Sequence, residues 1–217
     1  MISHTSLPKQ MSKEKTDEFL GQINNFFGDM DLYLIDQLLK SNIPDGPVLD
    51  LGCGTGRNAI YFLQNGYDIT AVDSDQSQIQ LLKHFIPPSN EKITIQQGLV
   101  QSLALNSNIF ETVLCSRVCH ELDSTNSFDQ AWEEINRVLM PRGILYFTMN
   151  AVWGLEEFLT KLENGLYEYP DGRTSLLMDQ KMLDKIESDS RYEMVEIPRF
   201  LSFGKTRTET QLLMKKI

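Results

Sequence analysis

Three alternating glycines, Gly52, Gly54 and Gly56, follow directly on the apolar run Val48-Leu49-Asp50-Leu51 and lead into a helical pattern over Arg57 to Asn65. A buried strand that ends in such a turn lets the backbone approach a ligand closely, because no Cβ intervenes. The helix that follows offers free N–H groups and a positive dipole to an anionic group. The turn alone leaves two other readings open. One is a tight turn with no ligand. The other is a nicotinamide-nucleotide site, since Gly54-x-Gly56-x-x-Ala59 also fits the dinucleotide fingerprint.

The chain continues to alternate strand with helix. Tyr67 to Val72, Lys92 to Gln97, Glu111 to Ser116 and Gly143 to Met149 read as strands, with helices at Gln76 to Phe85 and Phe128 to Leu139. Strands separated by helices of this length predict a parallel sheet covered on both faces. Tyr192 to Phe200 and Thr208 to Ile217 read as two strands with no helix between them, which predicts an antiparallel closing hairpin. The expected fold is α/β, a doubly wound Rossmann-like sheet of seven strands, mostly parallel. Residues 1–12 are expected to be a flexible arm and 13–217 one domain, with N-terminal helices in 13–43. Trp153 to Tyr169 and Met178 to Ile186 read as further helices about the polar turn Asp171-Gly172-Arg173. Residues 151–191 exceed what one crossover helix needs, and are expected to roof the substrate pocket.

Composition narrows the partners. Twenty basic against 30 acidic residues give a net charge of −10, against the basic footprint of duplex binders. Nucleic acid is therefore not expected. No run approaches the roughly 20 apolar residues of a membrane span, and no membrane association is expected. The odd count of three cysteines, Cys53, Cys115 and Cys119, predicts a reducing compartment, and the N-terminus lacks a signal-peptide core. A cytoplasmic protein is the expectation. Cys115, Cys119 and His120 lack the fourth ligand a structural zinc needs, so no metal is expected.

Two carboxylates distinguish the possible ligands. Asp50 lies in the strand just before the glycines, where it repels a pyrophosphate and attracts an ammonium group. Asp73 ends the next strand beside the loop, placed to accept both hydroxyls of a ribose. Together they favour a nucleoside carrying an amino-acid tail.

Val48-Leu49-Asp50-Leu51-Gly52-Cys53-Gly54-Thr55-Gly56 closely resembles the first motif of class I S-adenosylmethionine (SAM)-dependent methyltransferases. Asp73 falls where that family's ribose-binding acid falls, and Pro141-Arg142-Gly143-Ile144-Leu145 resembles its turn into the fifth strand. Locally, Gly56-Arg57-Asn58-Ala59-Ile60-Tyr61 and Gly66-Tyr67-Asp68-Ile69-Thr70-Ala71 are similar to small-molecule methyltransferases of the tellurite-resistance type. The resemblance implies SAM as cofactor and methyl transfer to a small-molecule acceptor. It implies that Asp50 and the backbone from Gly52 to Gly56, Cys53 included, hold the methionine end, with Arg57, Asn58 and Ser116 also among the cofactor-binding residues. Asp73 then holds the ribose, and Ser74, Leu99 and Val100 lie beside the adenosine. The family often has an acid after the glycine here; this chain has Leu99 after Gly98, with Gln101 as a substitute contact to the adenine.

The acceptor side is expected after the fourth strand, at Ser116-Arg117-Val118-Cys119-His120-Glu121-Leu122, since open sheets bind ligands beyond their strand ends. His120 is the candidate general base. Arg117 and Cys119, with Trp153, Tyr167, Tyr169 and Arg173 from the roof, are the expected lining. The polar-Pro-Pro-aromatic clamp of base methylation is absent there, as the only Pro-Pro pair is Pro87-Pro88. A nicotinamide-dependent oxidoreductase and a catalytically silent methyltransferase-like binding domain remain the alternatives.

Overall fold

The computed structural model describes residues 27–87, 89–204 and 206–217. The arm expected over 1–12, and the part of the N-terminal helices expected over 13–26, lie outside the described residues. Helix α1 is Leu32–Leu39. Then strands and helices alternate: β1 Val48–Leu51, α2 Ala59–Gln64, β2 Ile69–Asp73, α3 Gln76–Phe85, β3 Ile93–Gln97, β4 Phe110–Ser116, α4 Thr125–Val138 and β5 Leu139–Ala151. A segment with three two-residue strands follows, β6 Thr160–Lys161, β7 Tyr167–Glu168 and β8 Thr174–Ser175, and then α5 Gln180–Glu187. Strands β9 Tyr192–Met194, β10 Arg199–Ser202 and β11 Thr208–Lys216 close the chain.

The main sheet runs β10-β11-β5-β4-β1-β2-β3, with β9 also on β11, making eight strands. Pairs from β3 through to β5 are parallel, and β11 runs antiparallel between β5 and the β9 and β10 pieces. Side chains alternate strictly between the faces, as a period of two requires. Leu49, Leu51, Val113, Cys115, Leu145, Phe147, Leu212 and Met214 pack on one side with α4 and α5. Val48, Leu114, Ile144, Tyr146 and Leu213 pack on the other with α1, α2 and α3. Both faces being covered, all four residues of β1 are buried, which is why that strand reads as an uninterrupted apolar run apart from Asp50.

Helix starts are set by short polar side chains that take up free amides. Asp75 accepts from the Ser77 N–H at the head of α3, Ser124 from Ser127 at α4, and Asp179 from Met182 at α5. The last accounts for the displacement of α5 from the expected Met178 to Ile186 to Gln180–Glu187.

Two expectations are corrected. Trp153 to Tyr169 is not a helix: it forms a short 3-10 turn at Glu156–Phe158 and the three-stranded sheet β6-β7-β8. Turn chemistry overrides the helical spacing of the apolar residues. Asn164-Gly165 closes β6 onto β7, with Gly165 at φ +87°, and Asp171-Gly172 closes β7 onto β8. The strand expected over Tyr192 to Phe200 is split, so the main sheet has eight strands where seven were expected. Met194 pairs with Met214 and Arg199 with Gln211, setting five steps against three and bulging two residues outward. Pro198 carries no N–H for the ladder. Glu196 in the bulge takes ion pairs from Lys40 at 2.6 Å and Arg199 at 2.8 Å.

Trp132 joins α4 to the sheet and to β9. Its ring stacks on Phe128, meets Phe147 edge-on and lies 5.5 Å from the Tyr192 ring, while its Nε1 donates to Asp189 at 2.9 Å. Trp132→Ala removes all of these and should cost about 3–5 kcal/mol of stability. Urea unfolding monitored by far-ultraviolet circular dichroism measures this. A loss below about 1 kcal/mol, the scale of an ordinary surface change, contradicts the central packing role.

Candidate functional site

Strands β1 and β4 are neighbours, yet the chain leaves β1 for β2 on one side and reaches β4 on the other. At this reversal the connections diverge and leave a crevice beyond the strand ends. Leu51 pairs with Cys115 at the last register position, so the glycine loop leaves the sheet at Gly52 beside Ser116, the last residue of β4.

The glycine loop is tied down from several directions. The Cys53 N–H donates to the Val72 carbonyl at 3.1 Å, the Gly54 N–H to Asp73 Oδ2 at 2.8 Å, and the Gly56 N–H to the Cys53 carbonyl at 2.9 Å. The glycines differ in purpose. A Cβ on Gly52 would strike Val118, and one on Gly56 would strike Leu82 of α3, so these two allow close packing. A Cβ on Gly54 would meet nothing nearer than Gln78 Oε1 at 3.9 Å, because that position faces open space. Beneath the loop Asp50 is only 2% exposed and accepts from the Ala59 N–H at 3.1 Å, fixing the first turn of α2. Burial pushes its pKa up to about 7, against the opposing pull of the Arg57 charge and the Ala59 N–H.

Two adjoining clefts open over this loop, sharing Gly52 and Arg117. The first, about 380 Å³, is lined by Asp73, Ser74, Leu99, Val100 and Gln101 among others. The second, about 420 Å³, is lined by Cys53, Gly54, Arg57, Ser116 and His120, together with Gln78, Asn150 and Arg207. Most of the residues singled out in the sequence thus meet here. Asp50, Gly56 and Asn58 line neither cleft and act from below the loop; Asp50 and Asn58 are buried. Cys53 lines the second cleft, but its thiol packs into the core, where burial raises its pKa.

Five expected lining residues stand elsewhere. Cys119 is 1% exposed with its sulfur 3.7 Å from that of Cys115, because the turn at Cys119–Glu121 directs it into the core. Trp153 packs on Phe200 with ring centres 4.6 Å apart. The Tyr167 hydroxyl donates to Asp179 at 2.8 Å. Arg173 lies over the Tyr169 ring and pairs with Asp171 at 2.7 Å. These four residues of the 151–191 segment line neither cleft, since β6, β7 and β8 engage one another and α5 instead.

The segment reaches the site from behind. The Leu176 N–H and Ser175 Oγ both donate to the His120 carbonyl, at 3.1 and 2.7 Å, and the Met178 N–H donates to the Asn150 carbonyl at 2.9 Å. The side chains so braced carry unused polar atoms. His120 Nδ1 and Asn150 Oδ1 are buried without a hydrogen-bond partner among the described residues. His120 Nε2 lies 3.0 Å from Glu121 Oε1. Burial holds the His120 pKa below its ordinary value, with Arg117 and Arg207 acting in the same direction and Glu121 against it.

Sequence reasoning missed Asp31, Gln78, Asn150 and Arg207. Asp31 precedes α1, and its carboxylate accepts from Ser116 Oγ at 2.6 Å and from Arg57 at 3.3 Å. Arg57 also donates to Ser116 Oγ at 3.1 Å, so one carboxylate orients both side chains. Asn150 stands at the C-terminal end of β5, where the strand-end rule points to it. Asp31 and Arg207 gave no such signal, because only the folded chain brings them to the loop.

Comparison with known proteins agrees with this geometry. Residues 49–147 match the family model described as a methyltransferase domain. The uncharacterized methyltransferase YodH of Bacillus subtilis is 29% identical over 171 residues, covering 79% of this chain and 64% of its own length. A ubiquinone biosynthesis O-methyltransferase of Rickettsia bellii is 26% identical over 98 residues, covering 44% and 40%. The chain thus spans less than two thirds of either relative. A crystal structure of a SAM-dependent methyltransferase from Methanosarcina mazei superposes with a TM-score of 0.68 at 19% identity, covering 83% of this chain and 97% of that one. The reversal in strand order and the glycine loop with Asp73 beside it lie within the matched stretch: residues 49–147 resemble a methyltransferase domain, and the fold is that of SAM-dependent methyltransferases of known structure.

Proposed function

We propose that the chain transfers a methyl group from SAM to a small-molecule acceptor bound in the second cleft. The observation that carries this reading is that His120 and Asn150, each with a buried polar atom that has no partner among the described residues, Nδ1 and Oδ1, line a cleft of about 420 Å³ that adjoins the glycine loop. Buried polar atoms without partners are uncommon and costly unless something meets them. The cleft volume suits a metabolite.

The residues present fit the cofactor. Gly54 leaves a cradle that a side chain would fill, and Asp73 stands at the edge of the first cleft with its oxygens held by the Gly54 and Asp75 N–H groups. Asp73 would accept the ribose hydroxyls. Ser74, Val100 and the 56% exposed Leu99 would flank the adenine, with Gln101 available to its amino group. Arg57, oriented by Asp31, would take the methionine carboxylate. Asp50 favours the ammonium through its field from beneath the loop. When bound, SAM supplies a methyl group already activated by a positively charged sulfur.

The chain's own work is then placement, exclusion of water and handling of one proton. His120 is neutral near pH 7, since burial and two nearby guanidinium groups disfavour its charged form. Its free Nδ1 accepts the proton of an acceptor O–H or N–H. The hydrogen bonds from Ser175 and Leu176 to its carbonyl hold the backbone that carries the ring, and the Nε2 contact to Glu121 at 3.0 Å orients the ring itself.

Incubation with methyl-labelled SAM and small-molecule extracts tests the reading. Label should enter a small molecule; SAM binding without transfer to any would leave a silent binding domain.

Three further outcomes are expected. Asp73→Ala should weaken SAM binding by about 1.5–3 kcal/mol, the scale of hydrogen bonds to a charged group, in a protein that remains folded. Unchanged affinity by calorimetry would remove Asp73 from the cofactor site. SAM affinity should fall as pH drops through about 7, because Asp50 becomes protonated and its attraction for an ammonium is lost. Asp50→Asn should flatten that dependence, and a variant that keeps the full slope refutes the link to Asp50. His120→Ala should lower kcat by about 10²–10⁴-fold with SAM affinity unchanged. Wild-type kcat should decline toward acid pH below the ordinary histidine value of about 6.5, as protonation fills Nδ1. Equal losses in turnover and SAM affinity would return His120 to a structural role.

A further inference from the structure

The second cleft has a charge opposite to that of the chain. The chain carries a net charge of −10. The cleft is lined by Arg57, Arg117 and Arg207, and no carboxylate is among its lining residues. Arg57 is matched by Asp31. Arg117 and Arg207 have no carboxylate partner among the described residues; Arg207 instead lies 4.2 Å from the centre of the Phe203 ring. Arg117 is held with a backbone φ of +59°, a conformation that non-glycine residues seldom adopt, and its N–H donates to the Thr148 carbonyl at 2.9 Å. Strain of that kind persists only where the surroundings impose it.

Charge balance extends the point. SAM brings one carboxylate against an ammonium and a sulfonium, a net positive charge that Asp50 and Asp73 oppose on its own side, while the two guanidinium groups of the second cleft keep no carboxylate partner. An anionic acceptor supplies that partner, whereas a neutral or cationic one leaves them unmatched. Guanidinium groups also present the planar donor fork that suits an oxyanion. The unpartnered His120 Nδ1 and Asn150 Oδ1 supply the opposite need, for a hydrogen donor on the same molecule.

We infer that the methyl acceptor is a small organic acid whose oxyanion, a carboxylate or phosphate, is held by Arg117 and Arg207, and whose separate O–H or N–H donates to His120 Nδ1. The inference rests on the methyl-transfer reading above and names the substrate class of that site. The group that receives the methyl is the O–H or N–H, so the product keeps its anionic charge. Arg207 arrives from the turn between β10 and β11, which makes the closing hairpin a determinant of specificity.

The test separates a small-molecule pool by anion exchange into acidic, neutral and cationic fractions before incubation with the protein and methyl-labelled SAM. Label transferred from the acidic fraction into a product that still binds the anion exchanger supports the inference. Transfer only from neutral or cationic fractions, or into a neutral ester, overturns it while leaving methyl transfer intact. Absence of transfer from every fraction, with S-adenosylhomocysteine binding verified by calorimetry, overturns both. With the acidic acceptor in hand, Arg207→Gln should raise its KM roughly tenfold to a hundredfold while S-adenosylhomocysteine affinity is retained. An unchanged KM overturns the assignment to Arg207. Inorganic phosphate and acetate, added separately as competitors, identify the oxyanion: inhibition by either supports the site, and inhibition by neither overturns it.

Discussion

The reversal of strand order between β1 and β4 is the constraint on which the remaining structure rests. Because the chain departs to one side of β1 and returns on the other, no connection covers the ends of these strands. Gly52 and Ser116 stand there side by side, and every group later assigned to the proposed site lies within reach of that pair. The Cys53 and Gly54 amides are satisfied by the neighbouring strand through Val72 and Asp73, which ties the turn to β2. Packing of Gly52 on Val118 and of Gly56 on Leu82 holds it from two sides and leaves Gly54 facing outward.

Electrostatics is arranged in depth around this turn. Asp50 is buried under the loop, where its charge is costly, and a cation above it would relieve that cost. Asp31 reaches across from the start of α1 to hold Arg57 and Ser116 in one network. Beyond them lie Arg117, Arg207 and a histidine whose protonation they oppose. Negative potential beneath the loop and positive potential beyond it create a gradient along the site. A chain acidic overall therefore presents a cavity lined by three arginines, and its net charge describes the whole surface without describing the cleft.

The parts legible in the sequence were those in which local signals agreed with one another. At β1 and α2 the apolar run, the glycines and the helical spacing all demanded one strand-loop-helix unit, and Asp73 followed at the end of the next strand. The segment after β5 failed because its signals conflicted. Leu155, Leu159 and Leu162 recur at helical spacing, yet Asn164-Gly165 and Asp171-Gly172 impose hairpins, and the turns prevail. Cys119 was misplaced for a related reason: a single tight turn reverses which neighbours face the cleft. Asp31 and Arg207 had no local signature at all. The split of the final edge strand depends on the bulge at Glu196, whose ion pair with Lys40 joins residues 156 positions apart.

The hydrogen bonds from Ser175, Leu176 and Met178 to the carbonyls of His120 and Asn150 divide the labour of the 151–191 segment. Positional information passes through main-chain atoms that every amino acid possesses. The strip from Thr174 to Met178 can therefore keep its hold while its own side chains, and the hairpins outside it, drift. Tyr167, Tyr169 and Arg173 line neither cleft, and variation there acts on the durability of the brace. Such a chain can accumulate change on its outer wall at little cost, and acquire a new chemistry only through the few residues that face inward.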